Sequence, residues 1–553
     1  MTLLPLILAA ALPVPGRSIV ASQQGVAASS QPLAAQAAVH VMERGGNAVD
    51  AAIAANSTQG LMEPTSNGIG GDLFALVYIA KEDKLYGMNA SGWSPAGMTL
   101  SFLKSKGIEG ELPYRGVYTV TVPGAVSGWA ALHDRFGKLP LSTDLAPAIW
   151  YAEHGFPLME VTSMLWSRSL KLLSESPESA STWLVDNPPR TPRAGEVFKN
   201  PNLARSLRLI AEHGRDGFYK GPTAQAIVDV VRSKGGVMTL DDLAQFKPEW
   251  VSPIQTTYHG WTVTELPPNG QGIAALEMLN IMEQFPLSQD GFHSTKAMHA
   301  MIEAKKLAYA DLLEYIGDPH FSKIPVEQLL SKKLAAERAK LIDPAKANCN
   351  EPPSKLAGMG SDTIYLTVVD GEGNIVSLIQ SNYAGFGSGL TPKGGGFMLQ
   401  NRGNLFSLKP GQPNTIEGHK RPLHTIIPAF LQKDEVRIGF GIMGGWNQAQ
   451  AHAQFVSDIV DHGMTIQQAL EAGRFTKGTF EGCDVEMESS IPQDVRDELT
   501  SMGHKIDVKP LRTPNFGYGQ AVIFDRRSGV KFGASDPRHD GEAIPVPAPY
   551  LAR

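Results

Sequence analysis

The sequence predicts an α+β fold, on three observations. Residues 31–62 carry the spacing of a helical hairpin, residues 364–381 hold two alternating runs joined by Gly371-Glu372-Gly373, and 56 glycines with 39 prolines supply many turns. A chain of 553 residues buries a large core and has room for two to four domains or one large layered one. Its net charge of -6, with 49 basic and 55 acidic residues spread along it, gives no nucleic-acid footprint. Two cysteines, Cys349 and Cys483, make one bridge at most and exclude a disulfide framework.

From the start, Leu3 to Leu12 (LLPLILAAAL) is apolar and is followed by Pro13, Pro15 and Gly16, the make-up of the hydrophobic part of a secretory signal. No Lys or Arg precedes it, so residues 1–16 are read as a signal or disordered leader, and localisation stays open between secreted and cytoplasmic. No later run reaches the roughly 20 apolar residues of a membrane span. PLAAQAAVHVMER reads as a helix stopped by Gly45-Gly46, and Asn47 as the cap of a second, AVDAAIAANSTQGL. EPTSNGIGGD is a glycine-rich loop into the strand LFALVYIA. KLYGMN is a further strand with ASGWSP as its exit, and AVSGWAALHDRFG is a helix.

Residues 140–330 read as mostly helical. His299 and Glu303 lie one helical turn apart, a spacing seen at metal sites, but no second His stands four residues on and no cysteine cluster exists. They read as polar positions on an amphipathic helix whose Met298, Ile302 and Leu307 or Ala308 pack inward, and no metal is called for. Asp343 to Gly360 (DPAKANCNEPPSKLAGMG), rich in Pro, Asn and Gly, reads as an exposed connector.

That connector ends at Asp362-Thr363, just ahead of the β-hairpin. A hydroxyl residue that opens a strand becomes a nucleophile once the chain is cut before it, because the freed α-amine, with a pKa of about 8, serves as its base. Taken alone, Thr363 is an ordinary β-branched strand residue. Arg437 to Gly445 (RIGFGIMGG) spells GxGxxG through Gly439, Gly441 and Gly444, which raises a dinucleotide-binding reading. The next segment, GMTIQQALEAGRF, is helical where that fold requires a second parallel strand.

DTIYLTVVDGEGNIVSLIQSNYAGFGSG resembles the start of the small subunit in the gamma-glutamyltransferase family of N-terminal-nucleophile (Ntn) hydrolases. The likeness continues through KRPLHTIIPAF, GIMGGWNQAQ and GASDPRHDG, and upstream through QPLAAQAAVHVMERGGNAVDAAIAAN, EPTSNGIGGD and EAKKLAYADLLEYIGDP, so it spans Ser18 to Gly541. It implies a four-layer αββα sandwich of two mainly antiparallel sheets, with a large subunit 17–362 and a small subunit 363–553 intertwined in one domain. It implies self-cleavage between Asp362 and Thr363, with Thr363 then attacking an amide carbonyl and passing an acyl group to water or an acceptor amine, without a cofactor. Ser381 stands where the family has a threonine bonded to the nucleophile, with Asn382 or Tyr383 helping to orient it, and the N–H groups of Gly444 and Gly445 face the oxyanion.

The substrate pocket departs from the family pattern. Ser91 stands where an arginine grips the α-carboxylate of the glutamyl group. Arg402 and Leu405 replace the two acceptors of its α-amine, and His424 and Thr425 replace two serines, His424 bringing a positive charge or a general acid. The loop Lys409 to Lys420 lacks a covering insertion, which implies an open cleft. Three readings follow. The first is a gamma-glutamyl hydrolase or transferase on glutathione-like amides; the second is an amidase or acylase, of the cephalosporin-acylase kind, whose Arg402 and His424 hold a different carboxylate-bearing acyl group. The third is a non-catalytic binding protein on the same fold.

Overall fold

The computed structural model describes residues 16–349, 362–480 and 482–549, with the backbone alone at Asp362. The leader and the connector from residue 350 onward lie outside the described residues. The helical hairpin forms as read. Pro32–Glu43 ends at Arg44, and Asn47 caps Ala48–Met62 in a reciprocal box: its side-chain oxygen accepts from Val49 and Asp50, and Asp50 accepts from the Asn47 N–H at 2.8 Å. Ala48–Met62 is buried along its whole length, because small side chains let it lie between its neighbouring helices and a sheet.

Two seven-stranded sheets follow. Across sheet I the order is Glu542–Pro545, Val26–Ser29, Asp362–Val369, Ile375–Tyr383, Asp72–Ile79, Lys84–Ala90 and Glu249–Val251. Across sheet II it is Val20–Ser22, Lys531–Ser535, Gly519–Asp525, Val436–Ile442, Ala429–Lys433, Trp261–Glu265 and Ile254–Tyr258. Every neighbouring pair is antiparallel. Each sheet takes strands from both sides of the 362–363 junction. A helical layer that includes Pro32–Glu43, Ala48–Met62 and Ala125–Phe136 covers sheet I, and one that includes Gly272–Met282, Thr295–Tyr315 and Gln448–Val460 covers sheet II. This is the αββα sandwich that the resemblance implied.

Between the sheets, Phe74, Leu76, Tyr365 and Ile379 of sheet I meet Ile426, Phe430 and Val522 from the side of sheet II. That contact explains two glycines of the GxGxxG run. A Cβ on Gly441 would lie 2.5 Å from the Tyr365 ring, and one on Gly439 would lie 2.6 Å from Ile375. Val436–Ile442 is an interior strand of an antiparallel sheet, so the dinucleotide reading fails, and these glycines let the two sheets approach. Gly441→Ala is expected to cost roughly 1–3 kcal/mol by overpacking, read as a fall in the chemical-denaturation midpoint with unchanged slope.

The stretch 140–330 is mostly helical, as read, and also holds strands: Glu249–Val251, Ile254–Tyr258 and Trp261–Glu265, the last two a hairpin about His259-Gly260, supply an edge to each sheet. One expectation changes. His299 and Glu303 are both buried, not on a polar face. His299 Nε2 pairs with the Asp343 carbonyl at 2.8 Å and its Nδ1 with His504 Nε2 at 2.9 Å, while Lys306 Nζ donates to Glu303 at 2.6 Å and supplies the cation there.

The closing GASDPRHDG segment is structural. Arg538 forks onto both oxygens of Glu488 and also reaches Asp536, which takes a second bond from Arg474. All four side chains are buried, and each charge has its partner. Cys349 and Cys483 form the one bridge that two cysteines allow. No helix among the described residues is long and apolar enough to cross a membrane.

Candidate active site

Thr363 sits at an irregularity of its strand. The ladder pairs Asp362 with Tyr383 and Ile364 with Gln380, so Ser381 and Asn382 together oppose the single residue Thr363. Such a bulge turns side chains out of strict alternation, and here it brings hydroxyl to hydroxyl: Thr363 Oγ1 donates to Ser381 Oγ at 3.0 Å. Ser381 Oγ also accepts from the Tyr383 N–H at 2.8 Å. Tyr383 adopts φ 76°, in the left-handed region. Ser381→Ala removes the partner of both groups and is expected to lower kcat roughly 10²-fold, while Ser381→Thr stays within about tenfold of wild type; steady-state rates on an acyl anilide distinguish the two.

After Ile442 the chain turns through Gly444 at φ 133° and Gly445 at φ 60°, both left-handed, and enters Gln448–Val460. Among the described residues the N–H groups of Gly444 and Gly445 find no protein acceptor. Three side chains and one backbone carbonyl hold the turn. Gln271 Nε2 donates to the carbonyls of Gly445, at 2.7 Å, and Thr425. Tyr309 donates to the Trp446 carbonyl, and Asn447 Nδ2 to that of Phe516 at 2.7 Å. Tyr518 spans the gap: its carbonyl accepts from Met443 N at 3.1 Å, and its hydroxyl donates to the Thr363 carbonyl at 3.3 Å. The Thr363 strand and the glycine turn are thereby fixed to one residue.

Beside them lie Arg402, Tyr383, Thr425 and His424. Arg402 is fully buried, with its guanidinium 4.6 Å from the centre of the Tyr383 ring, and Nη1 donates to Thr425 Oγ1 at 2.6 Å. Its Nε and Nη2 have no partner among the described residues. Burial lowers its pKa to about 10, against the pull of Asp72 and Tyr383, so it is cationic at neutral pH. Asp72 is saturated: one oxygen accepts from Gly92 N at 2.7 Å and Gln400 Nε2 at 2.8 Å, the other from His424 Nε2 at 2.9 Å.

The structure places the other candidate residues. His424 adds no positive charge. Its Nδ1 accepts from Ile426 N at 3.3 Å, and burial, reinforced by Arg402, lowers its pKa to about 4 although Asp72 pulls the other way. Ser91 is buried with its hydroxyl given to Asn89 Oδ1 at 2.7 Å. The Asn382 amide lies against Gly68 and Gly71, and of the two proposed orienting residues it is Tyr383 that bonds to Ser381. Thr363, Arg402 and His424 have no exposed surface. A segment upstream of the junction packs against this region. Asn401 Nδ2 donates to the Tyr114 carbonyl at 2.7 Å, Asn404 to that of Pro113 at 3.0 Å, and the Tyr114 ring meets that of Tyr383 edge-on at 6.4 Å.

Sequence reasoning missed Asp72, Gln271 and Tyr518. Asp72 alone had a visible signal, since it ends the glycine-rich loop and opens a strand whose register places it opposite Ser381.

The chain is similar to known proteins along nearly its whole length. Residues 34–546 match the family model described as gamma-glutamyltranspeptidase. The chain is 35% identical to the glutathione hydrolase-like YwrD proenzyme of Bacillus subtilis, over 96% of this chain and 100% of that one. It is 32% identical to the oxamate amidohydrolase proenzyme of Klebsiella pneumoniae, over 94% and 98%. Among solved structures, cephalosporin acylase from Bacillus halodurans superposes with a TM-score of 0.89 at 42% identity, covering 97% of this chain and 99% of that one. The chain therefore belongs to the gamma-glutamyltranspeptidase family of Ntn hydrolases, and it is an enzyme of that family.

Proposed function

We propose that the chain is a precursor that cuts itself between Asp362 and Thr363, and that Thr363 then hydrolyses or transfers amides whose acyl group carries a carboxylate held by Arg402. In the cut, Thr363 Oγ adds to the Asp362 carbonyl, the C–N bond breaks as the acyl group moves to oxygen, and water hydrolyses the ester to leave residues 1–362 and 363–553. In turnover the freed α-amine takes the hydroxyl proton as Oγ attacks the substrate carbonyl. The tetrahedral oxyanion faces the N–H groups of Gly444 and Gly445, which stay in place through the step because Gln271 and Tyr518 brace the turn. The same amine then protonates the departing nitrogen, and water or an acceptor amine releases the acyl group from Thr363.

The observation that carries the substrate reading is the pair of unpartnered nitrogens on buried Arg402. An unpaired cation in this setting is costly, and a ligand carboxylate supplies the missing acceptors in fork geometry. A γ-glutamyl group would also place an ammonium near this guanidinium. Two like charges about 5 Å apart repel by roughly 3 kcal/mol at an effective dielectric of about 20. Leu405, buried beside Arg402, offers no side-chain acceptor in compensation. This favours an acyl group with a carboxylate and no ammonium over the glutathione-like amides of the first reading, although relatives bear names of both kinds, including the glutathione hydrolase proenzyme of Escherichia coli.

Mass spectrometry of purified protein tests the cut, with fragments expected to divide before Thr363. Turnover of glutaryl, γ-glutamyl and butyryl anilides then tests the acyl group. Glutaryl is expected to exceed butyryl by at least ~10²-fold in kcat/KM. A preference for γ-glutamyl over glutaryl would overturn the substrate assignment, and an uncut, inert chain would leave the binding-protein reading.

A further inference from the structure

We propose that the Cys349–Cys483 disulfide is an intersubunit bond, covalently joining the two halves of the cut enzyme and seating the strip that backs the oxyanion turn. The inference rests on cleavage at Thr363. Cys349 lies upstream of that junction and Cys483 downstream, so one bond crosses from the large subunit to the small. The Cα atoms stand 5.0 Å apart, within the range an unforced bridge spans.

The neighbourhood fits the role. Cys483 ends the strip that leaves Phe475–Thr476 and leads into Asp484–Glu488. On that strip, Phe480 packs edge-on against Trp446 at 5.0 Å and lies 5.9 Å from Tyr309. Trp446 follows Gly445 directly, and Tyr309 is the residue that holds the Trp446 carbonyl. On the other side of the bridge, Lys306 Nζ donates to the Asn348 carbonyl at 2.9 Å and stands 3.7 Å from Cys483 Sγ. An ammonium so close stabilises a thiolate, the form in which a cysteine attacks or leaves in disulfide exchange. In forming the bond, the two thiols yield two electrons and two protons to an exchanging disulfide, which departs as two thiols; a dithiol reverses the step and is itself oxidised.

Purified wild type, Thr363→Ala, Cys349→Ser and Cys483→Ser are alkylated and run on denaturing gels with and without dithiothreitol. Wild type is expected to give one full-size band without reductant and two with it, both serine variants two bands in either lane, and Thr363→Ala one band in either. Wild type that separates into two bands without reductant, with both cysteines alkylated, overturns the bridge while leaving cleavage intact. Wild type that stays as one band in both lanes is uncut, which overturns the cleavage reading and the bridge with it. For the seating role, reduction of cut wild type and Cys349→Ser are each expected to lower kcat about three- to tenfold with little change in KM. An unchanged kcat in both overturns that part.

Discussion

Thr363→Ala is expected to give a single uncut polypeptide and to reduce amide hydrolysis to background, a loss of at least ~10⁴-fold in kcat/KM. The size of the effect follows from one residue having three duties. In the proposed mechanism its hydroxyl would cut the chain, that cut would free the amine, and the amine would be the base for every later turnover. His424 cannot substitute as a base, since it is bonded at both nitrogens and buried within a hydrogen-bonded network with Asp72. The fold should persist, because the bulge keeps its backbone pairing and the lost contact is the one hydroxyl bond to Ser381. Circular dichroism and a melting curve near wild type, beside an uncut band and no turnover, are the outcome expected. Wild-type hydrolysis by the folded alanine protein would sink the mechanism.

Arg402→Gln is expected to have opposite effects on stability and on turnover. Without substrate, wild type holds a buried guanidinium with two unpartnered nitrogens, so the neutral side chain should raise the melting temperature by a few degrees. With a glutaryl anilide, the variant loses the charged anchor, and kcat/KM should fall about 10²- to 10³-fold, toward the butyryl value. A γ-glutamyl anilide should gain, since glutamine is an acceptor for an ammonium and removes the like charge. Equal losses on all three substrates would mean that Arg402 supports the site only through Tyr383 and Thr425, and the assignment of a substrate carboxylate would fall.

Local chemistry made much of this molecule legible. Asn47 as a cap, the stop at Gly45-Gly46 and the hairpin about Gly371-Glu372-Gly373 are signals confined to a few residues, and each formed where the sequence put it. The edge hairpin at 254–265 was equally local, with Ile254, Thr256 and Tyr258 alternating before His259-Gly260, but helical surroundings hid it. The pocket was harder. That Arg402 keeps its charge while His424 loses it depends on burial and on the guanidinium near the imidazole, in a network that also takes in Asp72, a residue more than 300 positions away in the chain. Gln271 and Tyr518 carry no motif at all: their part comes from backbone carbonyls and turns that only the packed sheets bring together.

The interleaving of strands also sets a rule for how this protein is supplied. Val26–Ser29 and Asp72–Ile79 flank the hairpin that begins at Asp362, so either half made alone would present raw sheet edges and half of an apolar interior to the solvent. Synthesis as one polypeptide delivers the halves in equal number and at the same moment, and the proposed cut would part them only once they are assembled. Two separate genes would have to match dosage and timing to avoid aggregates.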